Sequence, residues 1–405
     1  MKEYAHLLKT VYQLSLRKTS KYCPNKIKTI LDKRDLPFQV IHIAGTNGKG
    51  SVAHKIAKAL TVSGYKTALF TSPHISSFRE RIQIDQTLIS EKDVVRILGE
   101  ILKKYSFLSF FEMLLLLSIE YFQEQKVDFA VIETGIGGRL DATNVLKSIL
   151  SIITSIGIDH ENLLGTTLDQ ISFEKAGIIK KGVPVILGDS SARAPVMQKA
   201  KSLGAPVFIA PQSKGTFYDY ENILIAKLAL DYLAMKVKIS QKESQIALKE
   251  RPKCRFEILQ KKGLILLDVA HNASAFQSLL RSFLSYFPQK KPRFYLSFSK
   301  DKNIESCLDV LMDYPIHLST TDHPRLCSFS FLSSIQRDFI LESDLIEGFN
   351  RVQNLAFQNN EVVVVAGSFY IMQKIRENLG IDEARDSTLL TECYHLIPKQ
   401  LQNSR

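Results

Sequence analysis

From Ile41 to Val52 the chain reads Ile-His-Ile-Ala-Gly-Thr-Asn-Gly-Lys-Gly-Ser-Val: an apolar run, three glycines around one lysine, then a helical pattern. Such a turn can hold a nucleoside triphosphate. Gly45, Gly48 and Gly50 allow positive φ and bring backbone N–H groups close to phosphate oxygens, and Lys49 adds a full charge. A helix expected to begin near Ser51 points the positive end of its dipole the same way. The strict Gly-x4-Gly-Lys-Ser/Thr spacing is not met, because Ile43 stands where the first glycine belongs and Gly50 separates Lys49 from Ser51, so the loop is a variant. The plain alternative is a glycine-rich turn without a ligand.

Other strand-to-turn junctions carry reactive side chains. In Thr71-Ser72-Pro73-His74 the Ser72 hydroxyl could reach a magnesium ion or simply cap the turn, and Arg79 and Arg81 beyond it suit either a ligand carboxylate or solvent. Glu133 closes the apolar run 129–132 and is followed by Thr134-Gly135-Ile136-Gly137-Gly138-Arg139-Leu140-Asp141-Ala142. An acid there needs neutralising, by hydrated magnesium on a nucleotide or by a salt bridge to Arg139. His160 follows the run 152–156 and reads either as a metal ligand or as a structural histidine. Lys175, in an apolar helical stretch, is either functional or paired with an acid. Further on, Arg255 suits phosphate and the Asp268 of Asp268-Val269-Ala270-His271-Asn272 suits ribose hydroxyls.

The elements that must position these groups alternate. Helical periodicity marks 3–16 and 26–34, and apolar strands at 40–44, 67–71, 129–132, 152–156 and 183–187 are separated by amphipathic helices, the pattern of a doubly wound, mostly parallel α/β sheet. Ser90 to Asp93 resembles a capping box opening a helix that runs to Lys104, and 110–122 is apolar all round, hence buried. After Arg251-Pro252 a second series begins: strands at 264–267, 293–296, 316–319 and 361–366, with helices at 273–287, 304–312 and 344–357. The expected organisation is a first α/β domain over 1–250 and a smaller Rossmann-like domain over 251–405, with the polar tail after Asp382 a loosely held helix. Sheets of this kind bind ligands beyond the carboxyl ends of their strands.

Composition narrows the classes of function. A chain of 405 residues, 45% hydrophobic and 23% charged, has room for more than one core. Its formal charge of +12 comes from scattered lysines and arginines without a dense basic stripe interleaved with aromatics, which argues against a nucleic-acid partner. Cys23, Cys254, Cys307, Cys327 and Cys393 are far apart and odd in number, so neither a disulfide framework nor a zinc ribbon is expected. With no apolar stretch of bilayer length and no apolar leader at the N-terminus, no membrane partner is expected and the cytoplasm is the expected compartment.

Taken in order, the Gly45 to Ser51 loop, Thr71 to His74, Glu133 to Asp141, the His160 segment, Glu174-Lys175-Ala176-Gly177 and Asp268 to Asn272 resemble the folylpolyglutamate synthase/dihydrofolate synthase family of Mur ligases over residues 4 to about 370. The resemblance implies an ATP-dependent ligase that adds L-glutamate to dihydropteroate, and to tetrahydrofolate in bifunctional members, through an acyl phosphate. It implies that Asn47, Gly48, Lys49, Gly50 and Ser51 hold ATP, with Asn222, Arg255, Asp268 and His271 contacting the nucleotide across a cleft whose closure excludes water. Ser72, Glu133 and His160 would ligate magnesium, Lys175 would be carbamylated beside a second magnesium, and Lys49, Lys175 and His160 would form the catalytic set. Phe110, Phe111, Arg79, Leu140, Asp141 and Ala142 would line the substrate pocket, the family leaves room for a monovalent cation, and a monomer acting on small molecules is expected. Cys254 stands where the family has glycine, Val269 and Ala273 replace a glycine and a proline around Asp268, and Ser297 and Asn303 replace a glycine and an aspartate. The competing readings are a peptidoglycan Mur-type ligase, for whose UDP-sugar domain no room precedes Val40, and a nucleotide-gated binding protein without turnover.

Overall fold

In the computed structural model the described residues are 2–17, 25–32, 34–213 and 215–387. They fall into two compact units: Lys18–His74 with Arg79–Pro252, and Lys253–Arg405 with Met1–Arg17 and Ile75–Phe78. The chain thus passes twice into the second unit before the Pro252 junction, a tertiary grouping that a single division at 250 does not anticipate. Cys23 and Cys393 lie outside the described residues.

The first unit is built on β1 (Gln39–Ala44), β2 (Thr67–Phe70), β3 (Ile82–Ile84), β4 (Thr87–Leu88), β5 (Phe129–Glu133), β6 (Ser148–Ile153), β7 (Val185–Leu187) and β8 (Val207–Ile209). Their order is β4-β3-β2-β5-β1-β6-β7-β8; β3 and β4 are antiparallel additions at one edge, and all other pairings are parallel. Alternation along the strands covers both faces. On one face Ile41, Ile43, Val131 and Ile152 pack against Val52, Ile56 and Leu60 of the helix Lys49–Val62 and Ile225, Ala229 and Leu233 of the helix Asp219–Leu233. Ala44, Ile153, Val185 and Leu187 meet Ile171, Val196 and Ala200 on the other. The strand expected at 152–156 ends earlier, at Ile153, which frees 154–157 for another use.

Caps locate the helices. Ser90 accepts from the Asp93 amide, as expected. The reciprocal capping boxes are elsewhere, at Ser109 with Glu112, opening the buried helix Phe110–Glu124, and at Thr167 with Gln170, opening Leu168–Ala176, which carries Lys175.

The second unit holds β9 (Glu257–Lys261), β10 (Gly263–Leu267), β11 (Pro292–Leu296), β12 (Ile316–Leu318), β13 (Ile340–Leu341) and β14 (Val362–Ala366), ordered β13-β12-β11-β14-β10-β9 with only β9 antiparallel. Ile265, Leu267, Val363 and Val365 pack on Phe349, Val352 and Ile375. The tail after Asp382 is no loose helix as far as Ser387. Asp386 is buried and its carboxylate accepts from Tyr4 Oη at 2.9 Å, Ser77 Oγ at 3.0 Å and Phe78 N at 2.6 Å, all within this unit. Residues 388–405 lie outside the description.

Candidate active site

The neighbouring strands β2, β5, β1 and β6 run parallel, so their carboxyl ends share one edge of the sheet, in the register Ile132 beside Phe70, Glu133 beside Ile43 and Ile153 beside Ala44. The glycine loop leaves β1 there and is stitched to the turn after β6. Thr46 N donates to Ser155 O, Asn47 N to Ser155 Oγ, and Thr154 Oγ1 and Ser155 Oγ both donate to Asn47 O. Thr154 and Ser155 have the apolar surroundings of a strand, and nothing in the sequence marks them as braces for a loop more than 100 positions away.

The helix begins at Lys49, earlier than the Ser51 expected, with Gly48 as its N-cap at φ +85°. A side chain would fail at Gly48 twice, from the left-handed backbone and because a Cβ would lie 2.4 Å from Asn222 Oδ1. Gly50, expected to supply positive φ, is helical instead. Its missing side chain matters because a Cβ would come within 3.3 Å of Glu133 Oε2.

Glu133 is therefore tucked under the first turn of this helix. Its Oε1 is 4.0 Å from Lys49 Nζ and its Oε2 accepts from Ser72 N at 3.1 Å, whereas Arg139 is taken by Glu174 at 2.8 Å. The alternative of a Glu133–Arg139 bridge is thus not the arrangement found. Lys49 Nζ also donates to Gly45 O and Thr46 O, and Lys175 Nζ donates to Gly45 O at 2.9 Å, so both cations meet at one carbonyl of the loop. Lys175 is buried, and burial, reinforced by the nearby Lys49 charge and opposed by Asp159 and Asp141, lowers its pKa to about 7. His160 caps the short helix Glu161–Leu164 at φ +51°, its amide held by Asp159 Oδ1 at 2.8 Å. Asp159, buried beside this turn, carries no signal in the sequence beyond its neighbour.

The expected substrate residues divide. Phe111 packs on Gly135, where a Cβ would lie 2.8 Å from its ring, and stands 5.7 Å from Phe70, while Arg81 lies 5.6 Å over Phe110. Arg81 also donates from Nε to His74 Nδ1. Asp141 is a clasp for its own loop. Oδ2 accepts from the amides of Gly135 and Ile136, and Oδ1 from Thr143 N and from Thr143 Oγ1 at 2.5 Å. Leu140 is exposed and Ala142 fully buried.

In the second unit, Asp268 at the end of β10 accepts from Phe256 N and Ala270 N, both at 2.8 Å. Those bonds close a turn in which Cys254 and Phe256 have φ of +53° and +49°, which is why glycine would suit position 254. Arg255 lies 5.2 Å over the ring of Phe369 and the His271 ring is 5.9 Å from it, with His271 Nδ1 donating to Val269 O.

Residues 43–249 match the Mur ligase middle domain. The chain is 30% identical to a dihydrofolate synthetase of Saccharomyces cerevisiae, over 82% of this chain and 91% of that protein. The chain belongs to the folylpolyglutamate synthase/dihydrofolate synthase family of Mur ligases. It is accordingly an ATP-dependent carboxylate–amine ligase. It is also 29% identical to a dihydrofolate synthase/folylpolyglutamate synthase of Bacillus subtilis, over 84% of this chain and 90% of the other. A solved bifunctional folylpolyglutamate synthase/dihydrofolate synthase with Mn, AMPPNP and L-glutamate bound superposes with a TM-score of 0.79 at 26% identity, covering 89% of this chain and 95% of that one. No helix among the described residues is long and apolar enough to cross a membrane.

Proposed function

We propose that this ligase adds L-glutamate to dihydropteroate, and extends tetrahydrofolate by the same chemistry. One observation carries this reading: Lys49, Lys175 and Glu133 converge on the glycine loop at one sheet edge, beside Ser72. The bound manganese, AMPPNP and glutamate of the solved relative support it.

Chemically, the substrate carboxylate attacks the γ-phosphorus of ATP, ADP leaves, and an acyl phosphate remains. The glutamate amine then attacks the acyl carbon, phosphate departs, and the amine proton goes to solvent or a nearby base. In this reading the first-turn amides of Lys49, Gly50 and Ser51 and the Lys49 ammonium face the phosphates and offset charge as the phosphoryl group transfers. Asn222 sits against Gly48 from the other side. In the second unit, Asp268 holds the turn that carries Arg255 and His271.

The side chains fit a hard divalent cation. Among the described residues no three His, Cys, Asp or Glu side chains form a metal cluster; in this reading a divalent ion would draw on the Glu133 carboxylate, the Ser72 hydroxyl, His160 and the phosphates themselves. When bound, it supplies charge neutralisation at the phosphoryl oxygens. Lys175, whose pKa burial lowers to about 7, is the group proposed for carbamylation: its ammonium first loses a proton, the neutral nitrogen then bonds to the carbon of CO2 and releases a second proton, and the resulting anionic carbamate would offer oxygen to a second ion. Any monovalent cation would join that site. The enzyme is assigned to the cytoplasm as a monomer, in keeping with the buried free thiols Cys254, Cys307 and Cys327.

The test gives purified enzyme ATP, magnesium and L-glutamate with either dihydropteroate or tetrahydrofolate and weighs the products. A mass gain of one glutamate on dihydropteroate, with ADP released, is expected. Failure to extend either acceptor would overturn the reading.

A further inference from the structure

One buried cation of the first unit takes no part in the chemistry above. Lys55 lies within two turns of Lys49 on the helix Lys49–Val62 and is fully buried. Its Nζ donates to Asp219 Oδ2 at 2.9 Å, Leu248 O at 2.7 Å and Glu250 O at 2.8 Å, which uses all three of its protons. A buried ammonium is tolerated only when it is so satisfied.

Asp219 passes the constraint on. Its second oxygen, Oδ1, accepts from Asn222 Nδ2 at 3.1 Å, three positions along the first turn of Asp219–Leu233. A carboxylate only accepts, so it selects the amino end of the Asn222 amide and leaves Oδ1 turned toward the loop. There Asn222 Oδ1 occupies the space that a side chain on Gly48 would need. The series Lys55, Asp219, Asn222, Gly48 therefore runs from the interior of the helix back to its own N-cap, and its three side chains are buried.

We propose that Lys55 is a positioning residue for nucleotide binding: through Asp219 it fixes the Asn222 amide against Gly48 and so holds the phosphate loop in its binding form. This rests on the reading that the loop binds ATP. The same ammonium pins the carbonyls of Leu248 and Glu250, so the last residues of this unit and the loop share one anchor.

The experiment measures binding of a fluorescent ATP analogue with magnesium to the full-length enzyme and to K49A, K55M, N222A and K55M/N222A, together with steady-state constants. K55M and N222A should each weaken nucleotide binding about tenfold, and the double variant should be no weaker than N222A alone, because the residues act in series. In K55M the KM for ATP should rise while kcat at saturating ATP and the KM for glutamate stay within about twofold, a split that general loss of packing would not produce. Wild-type binding by K55M, or a double variant weakened about a hundredfold as the product of the singles, overturns the proposal. Should K55M not fold, D219N takes its place and must show the same non-additivity with N222A. Undiminished binding by K49A would instead break the underlying reading of the loop, so the two failures are distinguishable.

Discussion

The strand ends of the two units use charge differently. In the first unit, Lys49, Lys175 and Glu133 crowd together, two cations on one carbonyl and the carboxylate 4.0 Å from one of them, an arrangement that like-charge repulsion and burial make unfavourable without a further ligand. In the second unit, the acid at the equivalent place, Asp268, meets the amides of Phe256 and Ala270 and closes a turn. Two aspartates that look ligand-facing from sequence, Asp141 and Asp268, are both clasps, whereas the glutamate at the end of β5 lies under the helix that follows the phosphate loop. Asp141 and Asp268 spend both carboxylate oxygens on their own loops, whereas Glu133 has one oxygen on the Ser72 amide and the other 4.0 Å from Lys49 Nζ.

That contrast can be broken by mutation. The largest effect is expected for Lys49→Ala and Glu133→Gln, which should each lower glutamate addition about a thousandfold, the scale of losing a preorganised charge, with the melting temperature of Glu133→Gln nearly unchanged. Parallel turnover and thermal-melt measurements check this; wild-type turnover in both variants would remove the site assignment. Asp268→Ala should do the reverse, costing about 2–4 kcal/mol of stability by leaving two buried amides without their acceptor, as read by denaturant unfolding. A Gly48→Ala enzyme should fold but show an ATP KM raised about tenfold, since left-handed strain and the contact with Asn222 Oδ1 fall on the loop itself.

The most gradual effect, small over any one pH unit, is on pH dependence. Lys175 has a folded-state pKa of about 7 against 10.5 for the free side chain, so above pH 7 the unfolded chain binds more protons at this site. The sign is then fixed: the cost of burying the charge is fully present below pH 7 and is relieved as pH rises toward 10.5. Stability of the nucleotide-free enzyme should rise by up to about 1 kcal/mol per pH unit above 7, and Lys175→Met should flatten that slope. Equal slopes in both proteins would remove Lys175 as the cause.

Much of this was legible because it is periodic or local. The alternation of apolar strands with amphipathic helices specifies a parallel sheet, and parallel strands bring the segments that follow them to one edge, so the gathering of Gly45–Ser51, Ser72 and Glu133 followed from chain order. Spacing could not say where each side chain spends its hydrogen bonds. Arg139 is as close in sequence to Glu133 as any cation, yet it pairs with Glu174, and the helix bearing Lys175 was readable while the shared carbonyl of Gly45 was not. The hairpin β3–β4 and the edge strand β9 are too short or too polar to show a period.

What the residues determined alone was the kind of fold and the chemistry available at its sheet edge, since both depend on patterns that a linear chain displays. Tertiary structure decided which carboxylates are held by amides and which meet lysines. It also decided that Thr154, Ser155 and Asn222 lie against a loop far from them in sequence, and that the N-terminal helix and Ile75–Phe78 join the second unit. These are contacts between distant segments, and an orienting hydrogen bond leaves no trace in composition or spacing, because it depends on which donor arrives at which acceptor once the core has packed.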